Sequence, residues 1–126
     1  MKRYICIKDD IPVGHAVNVA SHLADALTFA YGHTSDFKCW RSSSLRSVIV
    51  KVNDEQFEEL KKFEDGIIFR EDAIHWKECG IAFPPKIEHP HIFSSLQLFD
   101  GKKVESIQLG FDFFEDIELP ELPAPR

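Results

Sequence analysis

The sequence contains no uninterrupted apolar run that approaches the ~20 residues of a membrane-spanning helix. Its N-terminus, MKRYICIKDD, has the alternation of a strand instead of the apolar centre of a secretion signal. The chain has only three cysteines, Cys6, Cys39 and Cys79, and no two of them form a CxxC pair. This number and spacing predict reduced thiols and argue against a disulfide framework or a zinc site. We therefore expect a cytoplasmic protein without a metal ion or cofactor.

An excess of basic residues is also missing. The 126 residues include 15 Lys and Arg against 21 Asp and Glu, which gives a net charge of −6, and −4 of this lies within residues 93–126. An acidic chain lacks the attraction that supplies most non-specific affinity for nucleic acids. The net charge therefore disfavours tRNA as a partner. It does not exclude tRNA, because an acidic chain can still contain a local basic patch. The length suits one domain with its own core.

Hydrophobic periodicity predicts a small α/β domain over residues 1–88, with a mixed four-stranded sheet and helices packed on it. The strongest signal is a helix from His15 to Tyr31, because the segment is rich in alanine and Gly32 follows it. Residues 33–46 are predicted as a polar loop with short helical turns. The remaining elements are strands at 3–8, 47–52, 67–70 and 79–83, the last stopped by Pro84-Pro85, and a helix capped by Asn53.

The C-terminal third has a different pattern. Residues 106–113 alternate between apolar and polar side chains, and residues 96–99 precede them across Asp100-Gly101. This pattern favours a β-hairpin extension within residues 89–114, with a helix over 91–99 as the alternative. Residues 115–126 are acidic and rich in proline, so we expect an extended tail.

The segment from Asp9 to His15 collects polar groups where the first predicted strand ends. Asp10 follows the strand, Gly14 lies in a short turn, and His15 opens the predicted helix. Open α/β proteins often bind ligands at such an edge, where the first N–H groups of a helix are free. Asp10 and Gly14 are therefore candidate binding residues, and His15 is a candidate general base. In the alternative interpretation, a carboxylate caps the loop and His15 is a solvated first-turn residue.

The predicted helix carries one polar stripe, formed by His15, Asn18, His22 and Asp25. A mostly apolar helix with such a stripe is typical of a helix packed between layers, with the stripe at a cleft or an edge. Asn18 and His22 are therefore further candidate binding residues, although a packing role is the alternative for His22. His15 and His22 lie about 10 Å apart along the helix axis, which excludes one metal ion between them.

A second candidate binding segment lies in the predicted loop. Arg41 and Arg46 flank the serines at 42–44, an arrangement suited to a phosphate group. A solvated loop is the alternative interpretation. Elsewhere, Asp72 follows the third predicted strand and is expected to reach the same edge of the sheet as His15.

Three stretches resemble the type 2 peptidyl-tRNA hydrolase superfamily. Residues 14–22, GHAVNVASH, resemble the G-K-x-A-A-Q-x-x-H stretch that opens the first helix of that family, and look closer to its uncharacterised bacterial members. Asp72-Ala73 resembles the D-A-G-x-T motif, and residues 80–85, GIAFPP, are similar to the family's G-I-G-P-A-P stretch. The resemblance covers about residues 3–86 and implies a shared fold.

The resemblance also implies roles for single residues. Gly14 matches the loop glycine, His22 the helix histidine, and Asp72 the acid of the family's active site. The family's lysine is replaced by His15, its glutamine by Val19, and the position expected for its threonine is Trp76. Because these changes affect groups suited to hydrolysis and RNA binding, the fold transfers better than the activity.

Two functional hypotheses follow. In the first, the chain is a hydrolase of a small-molecule or peptide ester or amide, with His15 as the base and Asp72 as its orienter or a second acid. In the second, it is a non-catalytic binding or interaction module that pairs through its C-terminal hairpin, as a homodimer or with another protein. The phenylalanines expected at that surface are Phe93, Phe99, Phe111, Phe113 and Phe114.

Overall fold

A mixed five-stranded sheet forms the centre of residues 1–99, the part of the chain that the computed structural model describes. Its order is β3-β4-β1-β2-β5; β1 and β2 are parallel, and the other neighbours are antiparallel. The strands are β1 (Lys2–Lys8), β2 (Arg46–Val52), β3 (Ile67–Glu71), β4 (Lys77–Lys86) and β5 (Gln97–Leu98). The helices are α1 (Val13–Tyr31), α2 (Ser35–Ser42), α3 (Asp54–Leu60) and two 3-10 helices, Asp72–Ile74 and His91–Ser95. The predicted α/β class is confirmed, with five strands instead of four.

Alternation along the strands divides the core into two layers. In β1, Ile5 and Ile7 face α1 and α2, whereas Tyr4 and Cys6 face α3 and the 3-10 helix at 91–95. The first layer is completed by Ala16, Val19, Leu23, Leu27, Phe37 and Trp40. The second is completed by Val48, Val50, Val52, Phe57, Leu60, Ile81, Phe83, Phe93 and Leu96. Among residues 1–99, no helix has the length and apolar character needed to cross a membrane.

The segment predicted as a polar loop contains helix α2. The Thr34 hydroxyl accepts a hydrogen bond from the Phe37 N–H and caps the first turn. Phe37 and Trp40, spaced by three residues, fall on one face of the helix and are buried. The prediction underrated this helix because its other residues are mostly polar and exposed.

β4 extends beyond the predicted stop at Pro84-Pro85. Phe83 pairs with Tyr4 and Lys86 pairs with Lys2, and the register shifts between these two pairs. The prolines therefore lie at an irregularity, where a missing backbone N–H removes no regular ladder bond. The prediction that the strand ends at Pro84 was wrong for this reason.

The first half of the predicted hairpin is only partly a strand. β5 pairs with Val50 and Lys51 of β2, and the preceding residues form the 3-10 helix His91–Ser95. That 3-10 helix occupies part of the alternative helix predicted over 91–99. The second predicted strand, at 106–113, and the acidic tail lie outside the described residues, so the hairpin and a homodimer formed through it stay predictions. Phe93 is buried in the core and so contributes no exposed surface to such an interface.

His89 connects the segment after β4 to the start of β1. Its Nε2 lies 2.7 Å from the Lys2 carbonyl oxygen, and its ring packs edge-on against Tyr4 at 4.7 Å. Its Nδ1 is buried and has no hydrogen-bond partner within residues 1–99. Burial lowers the pKa of His89, with smaller contributions from the charges of Lys86 and Lys2, and this outweighs the opposing hydrogen bond to the Lys2 carbonyl.

We expect the free energy of unfolding to decrease as the pH falls through about 6.5, because unfolded His89 takes up a proton there and folded His89 resists it. The stability associated with neutral His89 is fully present above that pH, and it is lost progressively as the pH falls to the pKa of His89 in the folded protein. Urea unfolding across this window would measure it. His89→Phe keeps a ring and removes the titration, so it should reduce the loss, whereas His91→Phe at an exposed neighbour should not. Equal pH dependence in wild type and His89→Phe would contradict the assignment.

Candidate functional site

The ends of four strands meet at one edge of the sheet. β1 and β2 are parallel and end there, β4 begins there because it is antiparallel to β1, and β3 ends there because it is antiparallel to β4. Two segments therefore meet at this edge: Asp9–His15, which follows β1, and Asp72–Lys77, which follows β3 and ends at the first residue of β4. An ion pair between Lys77 and Asp10 joins them. We call these two segments the rim.

His15 and Asp72 both belong to the rim, as the sequence predicted for the two segments. His15 is the third residue of α1, and Asp72 opens the 3-10 helix after β3. Both residues are exposed, and within residues 1–99 neither side chain makes a hydrogen bond or an ion pair. The two side chains are therefore available to a bound molecule and are not engaged with each other.

The start of α1 leaves backbone donors available at the rim. Its N-cap is Pro12, which provides no side-chain hydrogen bond, and its first turn contains no acidic residue. The first N–H groups of a helix lack intrahelical partners and attract negative charge. At Gly14 there is open space where a side chain would begin, so the backbone is accessible there. This arrangement suits a substrate oxygen that carries or develops negative charge.

Paired charges surround these donors. The hydrogen bond from Lys77 is the largest of several effects that lower the pKa of Asp10. Lys8 forms an ion pair of 2.7 Å with Asp54. The hydrogen bond that Lys8 donates to Asp54 within this pair is the main reason why the pKa of Lys8 is raised. Because these lysines are already paired with carboxylates, they give the rim little net positive charge with which to attract a polyanion.

The connection between β3 and β4 is strained, a feature that the sequence did not predict. His75 and Trp76 both have left-handed backbone conformations, with φ of 59° and 60°. The Trp76 N–H donates to the Glu71 carbonyl at 2.9 Å, and the largely buried Glu71 carboxylate accepts from the Ala73 N–H. A left-handed conformation is rare for so large a residue and is often found at functional positions. The Trp76 indole remains 67% exposed at the rim, where the resemblance expects a threonine.

The polar stripe on α1 is exposed along its whole length, at His15, Asn18, His22 and Asp25. His22 stacks on Phe69 of the edge strand β3, with the ring centroids 4.8 Å apart and the planes 10° from parallel. The stripe therefore lies on the flank of α1 that faces β3. This placement agrees with the predicted position at an edge, and the stacking supports a packing contribution from His22.

Arg41 and Arg46 lie at the other end of the sheet. Arg46 begins β2 and is the register partner of Lys2, the first residue of β1. Arg41 is in the last turn of α2, and its neighbour Trp40 donates from Nε1 to the Arg46 carbonyl. The length of β1 separates this end from the rim by about 20 Å. A phosphate held by these arginines would therefore not occupy the same site as a molecule bound at His15.

An apolar groove of about 190 Å³ lies on the other flank of α1, beside β2. We call it the α1–β2 groove; it is lined by Ile7, Ala16, Val17, Ala20, Ile49 and Phe99. None of the predicted site residues lines it. This groove was not predicted from the sequence. A signal for it was present, since the apolar residues wrap most of the way round α1 and one core face cannot bury all of them.

Within the described part of the chain, the cysteines and other potential ligands form no second reactive cluster. Cys6 and Cys79 are buried, as predicted, and burial raises the pKa of both thiols, whereas Cys39 is exposed. Within residues 1–99, no three His, Cys, Asp or Glu side chains are arranged to hold a metal ion.

Comparison with known proteins gives no further guide to the site: neither a protein-family model nor a curated protein matches this chain. The resemblance to the type 2 peptidyl-tRNA hydrolase superfamily therefore stays a prediction based on the motifs.

Proposed function

We propose that this chain is a peptidyl-tRNA hydrolase-like domain that hydrolyses a small ester or amide at the rim, with His15 as general base. The observation that carries the proposal is the meeting of two distant segments at one end of the sheet. The start of α1 supplies His15 and free N–H groups, and the β3–β4 connection supplies Asp72.

The chemistry needs three groups, and the rim has a candidate for each. The His15 imidazole accepts a proton from a water molecule as the water oxygen attacks the substrate carbonyl carbon. The oxygen that becomes negative is stabilised by the first N–H groups of α1. His15 then returns the proton to the leaving alcohol or amine. Asp72 orients the imidazole or stabilises its charged form through one bridging water molecule.

The charges at the rim favour a small substrate, such as an acyl or peptide ester, over a tRNA. Asp9, Asp10 and Asp72 bring three carboxylates to the two rim segments, and Lys77 is paired with one of them. The position where the resemblance expects a lysine holds His15, which removes a fixed positive charge. Free thiols at Cys6 and Cys79 are consistent with a reducing compartment, so we expect the reaction to occur in the cytoplasm.

The test is hydrolysis of two substrates, a small N-acetyl-aminoacyl ester and a peptidyl-tRNA. We expect wild-type protein to hydrolyse the small ester and His15→Gln to lose about 10²-fold in kcat/KM, the lower end of what a general base contributes. Asp72→Asn should lose less, because it acts through His15. His33→Gln is the matched control, since His33 is an exposed histidine just beyond the other end of α1.

Equal rates for wild type and His15→Gln on the small ester would contradict the role of His15. Wild-type rates at the uncatalysed level on both substrates would remove the hydrolase proposal for these classes. Faster hydrolysis of peptidyl-tRNA than of the small ester would overturn the proposed substrate class and leave the site intact.

A further inference from the structure

Within residues 1–99, the side of β2 next to α1 is left partly uncovered. α1 packs across β4, β3 and β1, and its flank toward β2 remains open. Val13 and Val17 on that flank are 69% and 68% exposed, and Ile49 of β2 is 37% exposed. Together with the α1–β2 groove they form an apolar surface that a folded monomer would ordinarily bury.

The described chain ends in the wall of this groove. Phe99 lines it, and the Phe99 N–H donates to the Ile49 carbonyl at 3.1 Å. The Lys51 ammonium lies 4.9 Å from the centre of the Phe99 ring. Residues 100–126 therefore begin at the groove itself, and Asp100-Gly101 is a dipeptide that favours a reversal of the chain.

The sequence that follows has one apolar side. Ile107, Leu109, Phe111 and Phe113 alternate with Ser106, Gln108, Gly110 and Asp112. In an extended chain these four apolar residues fall on one face and span about 20 Å. The open apolar flank of α1, from Val13 to Ala24, is about 16 Å long, so the two surfaces match in length.

We propose that residues 106–113 of the same chain cover the α1–β2 groove, with Ile107, Leu109, Phe111 and Phe113 directed toward it. The tether at Phe99 favours this occupant over a second copy, because a short connection holds the segment at a high effective concentration beside the groove. The inference is independent of the proposed hydrolysis, since the groove lies on the flank of α1 opposite to the polar stripe that contains His15.

Thiol protection in the full-length chain tests this inference. In a Cys39→Ser background, which removes the exposed native thiol, Val17→Cys places a thiol in the groove and Ser21→Cys places one on the exposed surface of α1. We expect Ellman's reagent to label the thiol of Val17→Cys about tenfold more slowly than that of Ser21→Cys, which corresponds to a groove covered about 90% of the time.

A pair of matched variants identifies what gives the protection. Leu109→Asp with Phe111→Asp places two charges on the apolar side of the segment and should restore fast labelling of Val17→Cys. Ser106→Asp with Gln108→Asp adds the same charge to the polar side and should leave the protection intact. Circular dichroism shows whether each variant retains the fold.

Concentration separates the two possible occupants. Protection that is unchanged across a hundredfold dilution and lost only in the apolar-side variant supports cover by the same chain. Protection that disappears on dilution overturns the proposal in favour of a second copy. Equal labelling of Val17→Cys and Ser21→Cys at all concentrations overturns it as well, because the groove is then open.

Discussion

Replacing Phe93 with alanine is expected to lower the free energy of unfolding by about 3–5 kcal/mol, as is usual when a fully buried phenylalanine is truncated. The Phe93 side chain is 1% exposed. Its ring centroid lies 4.6 Å from that of Tyr4, 5.0 Å from that of Phe83 and 6.2 Å from that of Phe63. Alanine would leave a cavity among these rings, and the 3-10 helix at 91–95 would lose its one buried side chain.

Urea or thermal unfolding of Phe93→Ala against wild type measures this loss. Phe29→Ala is the matched control, because the Phe29 side chain is 94% exposed and its removal should change stability by less than about 0.5 kcal/mol. Similar small effects of both substitutions would mean that residues 91–95 do not pack on the sheet.

Gly80→Ala is expected to destabilise the fold by about 3 kcal/mol, at the upper end of ordinary overpacking. A β-carbon at position 80 would lie 2.7 Å from the Cys6 carbonyl oxygen, 3.0 Å from Leu23 Cδ1 and 3.2 Å from Val19 Cγ1. The closest of these atoms belongs to the backbone of the central strand, so a side-chain rotation cannot relieve the clash. β4 therefore has to shift relative to β1, and α1 has to move away from both strands.

The control substitution changes the same residue type in open space. A β-carbon added at Gly14, in the first turn of α1, would have no neighbour within 4 Å among residues 1–99. Gly14→Ala should therefore be neutral or stabilise by up to about 1 kcal/mol, because alanine loses less backbone entropy in a helix. Chemical unfolding of both variants compares them directly. If Gly80→Ala were as stable as Gly14→Ala, the close approach of α1 to β4 would be wrong.

Periodic patterns were sufficient for most of the secondary structure. The alanine-rich segment followed by Gly32 predicted α1, and its buried side chains, Ala16, Val19, Leu23 and Leu27, recur at helical spacing. Asn53 caps α3 as predicted, in a reciprocal arrangement with Gln56. These features depend on neighbours within one or two turns, so a single sequence contains the information for them.

Tertiary contacts decided the elements that the sequence misjudged. Pro84-Pro85 would stop an isolated strand, but β4 continues because β1 holds Lys86 on the far side of the irregularity. The local sequence around Phe93 is compatible with an exposed position on the predicted hairpin and with a buried position in the core. Only the packing of residues 91–95 on the sheet distinguishes these two positions. No local pattern contains these long-range pairings.

The candidate site shows the same division. The residue types at the rim were visible in the sequence, and so was the expectation that Asp72 follows a strand toward the same edge. The sequence placed Gly14 in a turn before the helix, whereas α1 begins at Val13 and includes Gly14. The order of the strands in the sheet was not predicted. The left-handed backbone at His75 and Trp76 was not visible, because glycine or asparagine is the usual signal for that conformation and neither residue is present there. The opposite placement of Arg41 and Arg46 depends on the parallel register of β1 and β2.

The position of β1 has a consequence for biosynthesis. β1 precedes the other four described strands in the chain, yet it lies in the middle of the sheet, and its second neighbour is not complete until Lys86 has left the ribosome. Until then the nascent chain presents the YICI stretch with one edge unpaired, which invites association with other chains. The pairing of β1 with β4, which lies far away in the sequence, also slows folding. Chains that stall before β4 should therefore depend on chaperones far more than finished ones.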